Sequence, residues 1–184
     1  MRFTKTLLTT ALFGASVFSF QSTAWADTPE QQFQQGLTAY EQRDYQTAFK
    51  LWLPLAEQGY ASAQFNLGVM YDKGQGVKQD YFEAVKWYRK AAEQGHANAQ
   101  ANLGSAYSAG RGIRQDYTEA VKRFKKAAEN GSADGQLKLG LMYLIGRGIQ
   151  KDRTLAKEWL GKACDNGNQN GCEYYGKLNR GELY

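Results

Sequence analysis

Few of the groups that most chemistry requires are present in this chain of 184 residues. It holds one histidine and two cysteines, with no Cys-x-x-Cys pair, so a zinc cluster has no plausible ligand set. Serine nucleophiles activated by lysine are missing too: no Ser-x-x-Lys, Ser-Asp-Asn or Lys-Thr-Gly occurs. Beyond the first 26 residues, no apolar run is long enough to cross a bilayer. Charge of one sign is scarce as well. The 23 Lys and Arg face 18 Asp and Glu, too small an excess to argue for nucleic acid. The bases scatter over helix faces, as Lys86, Arg89 and Lys90 and then Lys122, Arg123, Lys125 and Lys126, the pattern of a solvated outer surface. Neither a metal nor any other cofactor is expected.

The one long apolar run, Leu7 to Phe20, follows Arg2 and Lys5 and precedes Ala24-Trp25-Ala26. A positive start, a short apolar core and small residues at two alternate positions make a secretory signal peptide, cleaved before Asp27. The run is short for an uncleaved anchor, and no cysteine near the cleavage point suggests a lipid anchor. Residues 27–184 are then one exported domain, periplasmic or secreted, with a net charge of 21 − 18 = +3.

What the chain does have is repetition. Gly68, Gly104 and Gly140 are 36 residues apart, and so are Tyr71, Tyr107 and Tyr143. The pairs Gly74/Gly76, Gly110/Gly112 and Gly146/Gly148 keep the same period, as do Asp80, Asp116 and Asp152, and Ala84, Ala120 and Ala156. Self-similarity at this length means stacked supersecondary units, each burying its apolar face on its neighbours. Within one unit, Ala61, Ala63, Leu67 and Tyr71 have helical spacing and predict a first helix over about 60–73. Gly74-Gln75-Gly76 stops it, and Asp80 caps a second helix that ends before Gly95. The Gly-x-Gly pairs follow helices and lack a Lys-Ser/Thr sequel, so they are not phosphate cradles. A glycine inside a helix costs roughly 1 kcal/mol relative to alanine, so Gly68 and its repeats predict a crossing point too tight for a side chain. The units read as 60–95, 96–131 and 132–167, with a shorter unit at 29–59 and a terminal helix in 168–184. His96, the sole histidine, falls in a turn, and the recurring aspartates cap helices, so neither is read as catalytic.

The pattern Ala-x-Ala-x-x-x-Leu-Gly-x-x-Tyr-x-x-Gly-x-Gly, an Asp cap, then Ala-x-x-(Trp/Phe)-x-x-x-Ala-(Ala/Cys)-x-x-Gly resembles the Sel-one-like repeats, relatives of the tetratricopeptide repeats. The resemblance covers Ala61 to Gly167, whereas 29–59 is closer to a plain tetratricopeptide unit. It implies an all-α fold, a right-handed α/α solenoid of antiparallel helix pairs with a concave inner face. Cys164 replaces the alanine of Ala92 and Ala128, and Cys172 stands where Gln64, Gln100 and Gln136 stand. This spacing looks like the within-repeat bridges of the Helicobacter cysteine-rich proteins, secreted members of the family, which implies a Cys164–Cys172 disulfide in an oxidising compartment.

Those relatives also raise an alternative, a β-lactam-binding hydrolase. Thr47-Ala48-Phe49-Lys50 and Thr154-Leu155-Ala156-Lys157 have the spacing of Ser-x-x-Lys with the wrong nucleophile, so the chain is not expected to be an enzyme. A binding scaffold is expected instead, monomeric, with a protein or peptide partner in the groove. The first helix of each pair lines that groove, and steps of three or four residues assign it Phe33, Leu37 and Tyr40, then Phe65, Val69 and Asp72. Asn98, Ala101, Ser105 and Ser108 follow, and then Leu137, Leu141 and Leu144. Apolar side chains facing solvent call for a partner, although the last three leucines have the terminal helix as an alternative neighbour.

Overall fold

In the computed structural model residues 28–183 are described; Met1–Asp27, which hold the predicted signal peptide and its cleavage point, and Tyr184 lie outside the described residues. Among the described residues there are nine helices and no strand: α1 (Pro29–Glu41), α2 (Tyr45–Glu57), α3 (Ala61–Lys73), α4 (Tyr81–Glu93), α5 (Ala97–Ala109), α6 (Tyr117–Glu129), α7 (Ala133–Ile145), α8 (Arg153–Asp165) and α9 (Gln169–Asn179). Every helix packs on its neighbours in sequence, and α5 also touches α7. The architecture is an α/α solenoid. The terminal helix stops at Asn179, short of the predicted end, where Arg180 and Gly181 (φ 74°) turn the chain.

Helix boundaries follow from local chemistry. Asp44, Asp80, Asp116 and Asp152 open α2, α4, α6 and α8, each carboxylate accepting from amides of the first turn. Each Gly-x-Gly turn is closed by a backbone bond across it, as when the Asp116 amide donates to the Tyr107 carbonyl at 3.0 Å, and in the first two turns Gln79 and Gln115 add a side-chain bond to the carbonyls of Asp72 and Ser108. Glycine is needed at two kinds of place. Gly104 lies under the Phe124 ring, where a Cβ would stand 2.7 Å from Cδ1. Gly112 has φ of 65° and meets the carbonyl of Tyr81, at the start of the preceding unit's second helix. The first glycine closes a helix pair; the second locks one pair onto the next.

Between units runs a ladder of buried amides. Gln64, Gln100 and Gln136 are each 4–5% exposed. Their Nε2 groups donate to the carbonyls of Ala56, Ala92 and Ala128, eight residues back. Their Oε1 atoms accept from Gln94, Asn130 and Asn166, thirty residues on, at 2.8, 3.0 and 2.8 Å. A buried amide is tolerated only when both ends are met, and here each is. At the fourth position the ladder becomes covalent, with Cys164 bonded to Cys172 and a Cα–Cα distance of 4.4 Å. The bridge joins the last turn of α8 to the first turn of α9, the same eight-residue step that the glutamines span by hydrogen bonds.

The apolar interior is divided into four clusters along the stack. The first gathers Trp52, Leu55, Leu67 and Met70, and the second Val85, Tyr88 and Leu103. The third holds Phe124 and Leu139, and the last joins Leu137, Leu144 and Leu160 to Leu178 of α9. Tyr71, Tyr107 and Tyr143 each sit against two successive clusters, so no unit has a private core.

Candidate functional site

Two adjoining cavities open on the face made by α1, α3, α5 and α7. The larger, of about 470 Å³, is walled by Leu37 and Tyr40 of α1 and by Phe65 and Val69 of α3. The smaller, of about 140 Å³, lies between α3, α5 and α7 over a floor of Ala84, Val85 and Tyr88 from α4, with Asp72, Asn102, Ser105, Arg111, Asp134 and Lys138 as its polar wall. Asp72, Tyr88 and Asn102 border both.

Each wall residue has a local reason to stand there. Tyr40 is fixed by its hydroxyl, which donates to Gln75 Oε1 at 2.6 Å, and by edge-on packing with Tyr45. Burial first, and then Tyr45, raises the Tyr40 phenol above its usual 10, against the pull of the Gln75 hydrogen bond. Phe65 is half-buried, stacked on the His96 ring at 4.6 Å between centroids and tilted against Tyr88 at 6.1 Å. Tyr88 reaches this face from α4 because Gly68 has no side chain to block it. Its hydroxyl is buried and makes no hydrogen bond of ordinary geometry. Burial, helped by the Asp72 carboxylate, pushes the phenol far up, and the Asn102 amide and Arg111 offset this only in part.

The charges of the site contrast with those of the outer face. There, Glu83–Lys86, Glu119–Arg123 and Glu158–Lys162 pair within one helix, and Lys90 and Lys162 also lie 4.2 Å over the Trp87 and Trp159 rings. In the polar cavity, Asp72, Arg111, Asp134 and Lys138 have no ion-pair partner among the described residues. Arg111 rests instead on the Tyr81 ring at 5.4 Å.

Of the residues assigned to the groove from sequence, Leu37, Tyr40, Phe65, Val69 and Asp72 come together in the larger cavity, and Ser105 joins Asp72 in the smaller. Phe33 borders a separate hollow beside Glu30, Tyr60 and Ala61. Asn98 lies apart from both cavities, exposed, with Oδ1 accepting from the Ser132 hydroxyl at 2.9 Å. Leu137 and Leu144 correct the expectation. They are only 5% and 8% exposed and share a buried cluster with Leu160 of α8 and Leu178 of α9, and Leu141 is half-buried on the same cluster. His96 also departs from its reading as a plain turn residue: it is half-buried, and its Nδ1 accepts from the Ala99 amide to cap α5.

Sequence reasoning missed Asn66, Tyr88, Asn102, Arg111, Asp134 and Lys138. A signal for three of them was present. Asn66, Asn102 and Lys138 recur at 36 residues, one place after the row of Phe65, Ala101 and Leu137. Tyr88 belongs to a series with Trp52, Phe124 and Leu160, each set over a first-helix glycine. It is the one member whose polar group has no hydrogen bond of ordinary geometry: the Trp52 Nε1 donates to the Phe33 carbonyl, and the other two have no polar side-chain atom.

No group of three or more His, Cys, Asp or Glu that could hold a metal occurs among the described residues, and no helix is long and apolar enough to cross a membrane. Thr47 and Thr154 lie in the first turns of α2 and α8, next to Ala48 in the core and beside the wholly buried Ala156, and nothing around them supports hydrolase chemistry.

Solved structures place this fold among known proteins. A protective antigen of uropathogenic Escherichia coli with an SLR fold is 39% identical, with a TM-score of 0.77 over 85% of this chain and 34% of that one. A Sel1 repeat protein of Oxalobacter formigenes is 36% identical, with a TM-score of 0.74 over 79% of this chain and 58% of that one. Cysteine-rich protein B of Helicobacter pylori is 25% identical, with a TM-score of 0.56 over 70% of this chain and 96% of that one. The chain thus spans about a third and somewhat over half the length of the first two. No curated protein sequence matches it. The family profile described as Sel1 repeat matches residues 33–60, 61–96, 97–132 and 133–168, which takes in the opening unit as well. With four matched units that follow one another through most of its length, this chain belongs to the Sel1 repeat family.

Proposed function

We propose that the protein is an exported scaffold that holds a segment of another protein on the face of its first helices, as an adaptor or regulator in the envelope or outside the cell. The observation that carries this reading is the larger cavity. Leu37, Tyr40, Phe65 and Val69 leave about 470 Å³ of apolar-walled space open to solvent, in the size range of ligand sites. A surface that keeps large apolar side chains part-exposed around a hollow gains by covering them. The hollows among the second helices, of about 370 and 480 Å³, are walled mainly by charged and polar side chains instead. Export is supported by the Cys164–Cys172 bridge, which persists in oxidising compartments, and by the leader pattern of the first 26 residues. One chain supplies both cavities whole, as a monomeric scaffold requires.

A photo-crosslinking amino acid at Val69, compared with one at the exposed Lys122, tests the reading in living cells. Crosslinks to a discrete protein from Val69, lost on adding Phe65→Ala and absent from Lys122, are the expected result. Crosslinks from Lys122 alone would move the site to the outer face and overturn it.

A further inference from the structure

We infer that the partner's segment carries an arginine, seated in the hollow between the N-terminal ends of α1 and α3. This deepens the binding reading above and rests on it. The hollow, of about 260 Å³, is walled by Glu30 and Phe33 of α1, by Tyr60 just before α3, and by Ala61 and Ser62 of its first turn. It shares its two helices with the larger cavity. Phe33 precedes Leu37 by four residues and Ala61 precedes Phe65 by four, a rise of about 6 Å along each helix. One segment lying between α1 and α3 therefore has both places open to it.

Three observations carry the chemistry. Tyr60 takes a place that elsewhere caps the helix. Thr28, His96, Ser132 and Asn168 each accept from an amide of the first turn, whereas Tyr60 makes no such bond. Giving up a cap destabilises a helix, and Tyr60 regains little by burial, since it stays 42% exposed. The fold gains little from that ring, so its use lies in what it meets. Second, the hollow joins two aromatic side chains to a carboxylate, and no lysine or arginine lines it. Glu30 accepts from Gln34 Nε2 at 2.9 Å and enters no ion pair among the described residues. Third, charge is divided along the stack. Residues 28–72 carry five acids against Arg43 and Lys50, whereas 73–184 carry 19 bases against 12 acids. Arg43 stands beyond the far end of α1, about 20 Å from Glu30. A cation is drawn to this end of the molecule. Guanidinium suits it, because the planar group lies flat on an aromatic ring while its edge donates to a carboxylate. Glu30 is exposed, so its pairing adds little, and the rings carry the preference.

The capped peptide acetyl-Gly-Arg-Gly-amide, titrated into the ¹⁵N-labelled protein at physiological salt and followed by NMR, tests this. The backbone amides of Ala61 and Ser62 should shift saturably, with half-saturation at about 10–50 mM for a ligand of one side chain. Ala133 and Asp134, at the matching place after Ser132, should move far less. Replacing the arginine by citrulline, its neutral isostere, should weaken binding about threefold, as for a lost cation–π contact. Lysine should fall between the two. Tyr60→Ser, which brings in the capping residue of α7, should raise the melting temperature and abolish the difference between arginine and citrulline. A tyrosine kept for the fold would instead lower the melting temperature when replaced and leave that difference intact. Absence of saturable shifts, equal binding of arginine and citrulline, or tighter binding of an N-acetylglucosamine disaccharide than of the arginine peptide overturns the inference. If arginine and citrulline do not differ while Val69 still crosslinks a partner, the groove remains a binding site and the arginine is wrong. If Val69 crosslinks no partner, the binding reading fails and this inference with it.

Discussion

Breaking one rung of the amide ladder should destabilise the whole stack by an amount that can be worked out. In Gln100→Ala, two hydrogen bonds are lost, from Nε2 to the Ala92 carbonyl at 3.2 Å and from Asn130 Nδ2 to Oε1 at 3.0 Å. The Ala92 carbonyl is not orphaned, because the Gly95 amide also donates to it at 3.1 Å. Asn130 Nδ2 is left with a 3.4 Å contact to the Gly95 carbonyl and is exposed enough to find water. The cost is therefore two net hydrogen bonds at about 0.5–1.5 kcal/mol each plus a small cavity, about 2–4 kcal/mol in all. Asn130→Ala, at an exposed helix end, should cost about 1 kcal/mol. The double variant should cost less than the sum by about 1 kcal/mol, the bond the two share. Urea unfolding of the four proteins, followed by helical circular dichroism, measures the coupling. Additivity within about 0.3 kcal/mol would mean that the rungs do not tie the repeats together. Gln100→Met keeps the volume and drops only the hydrogen bonds, so it separates the cavity from the polar contribution.

Three further outcomes are expected. Leu103, with no exposed surface, should cost about 2–5 kcal/mol when cut to alanine, whereas exposed Arg114 should change stability by less than about 0.5 kcal/mol; equal denaturation midpoints would contradict the core assignment. Reducing Cys164–Cys172, whose loop of eight residues contributes about 2.5 kcal/mol in the chain-entropy picture, should raise amide exchange in α9 first, and uniform change along the chain would refute a local role. Burial holds the His96 pKa below 6.5, against its own backbone hydrogen bond; the unfolded chain therefore binds the proton first, so stability should be flat above about pH 6.5 and fall as pH drops through that window. His96→Asn, which keeps a capping acceptor as Asn168 does, should flatten the slope between pH 7 and 5.5, and an unchanged slope would exclude this histidine as its source.

The backbone was largely legible because its punctuation is local. Asp80 caps through its own side chain, Gly74 ends a helix by its own φ of 67°, and the 36-residue period repeats both. The site was half legible. Stepping by helical spacing found Phe65 and Val69, since apolar side chains on a first helix mark themselves. It left Leu137 and Leu144 open between the groove and the terminal helix, because the cluster that buries them draws on Leu160 and Leu178, which no periodicity within α7 encodes. Tyr88, on a second helix, carries no such mark. That its hydroxyl is buried beside Asp72 and Asn102 depends on what surrounds it in space, while its place in the repeat identifies only its bulk.

The interlocking of Gly112 with the Tyr81 carbonyl and of Gln100 with Ala92 has a consequence for how such proteins change length. Each of these two contacts recurs between the same kinds of atom thirty-six residues further on. Excising 96–131 would bring Ser132 up to Gly95, Gln136 to the Ala92 carbonyl and Gly148 to the Tyr81 carbonyl, with no acceptor left searching. The seam is indifferent to which unit it joins. The groove is not, since the same excision would replace Asn102 by Lys138 opposite Tyr88. Gain or loss of a whole period therefore leaves the scaffold standing and rewrites only the lining of the proposed groove.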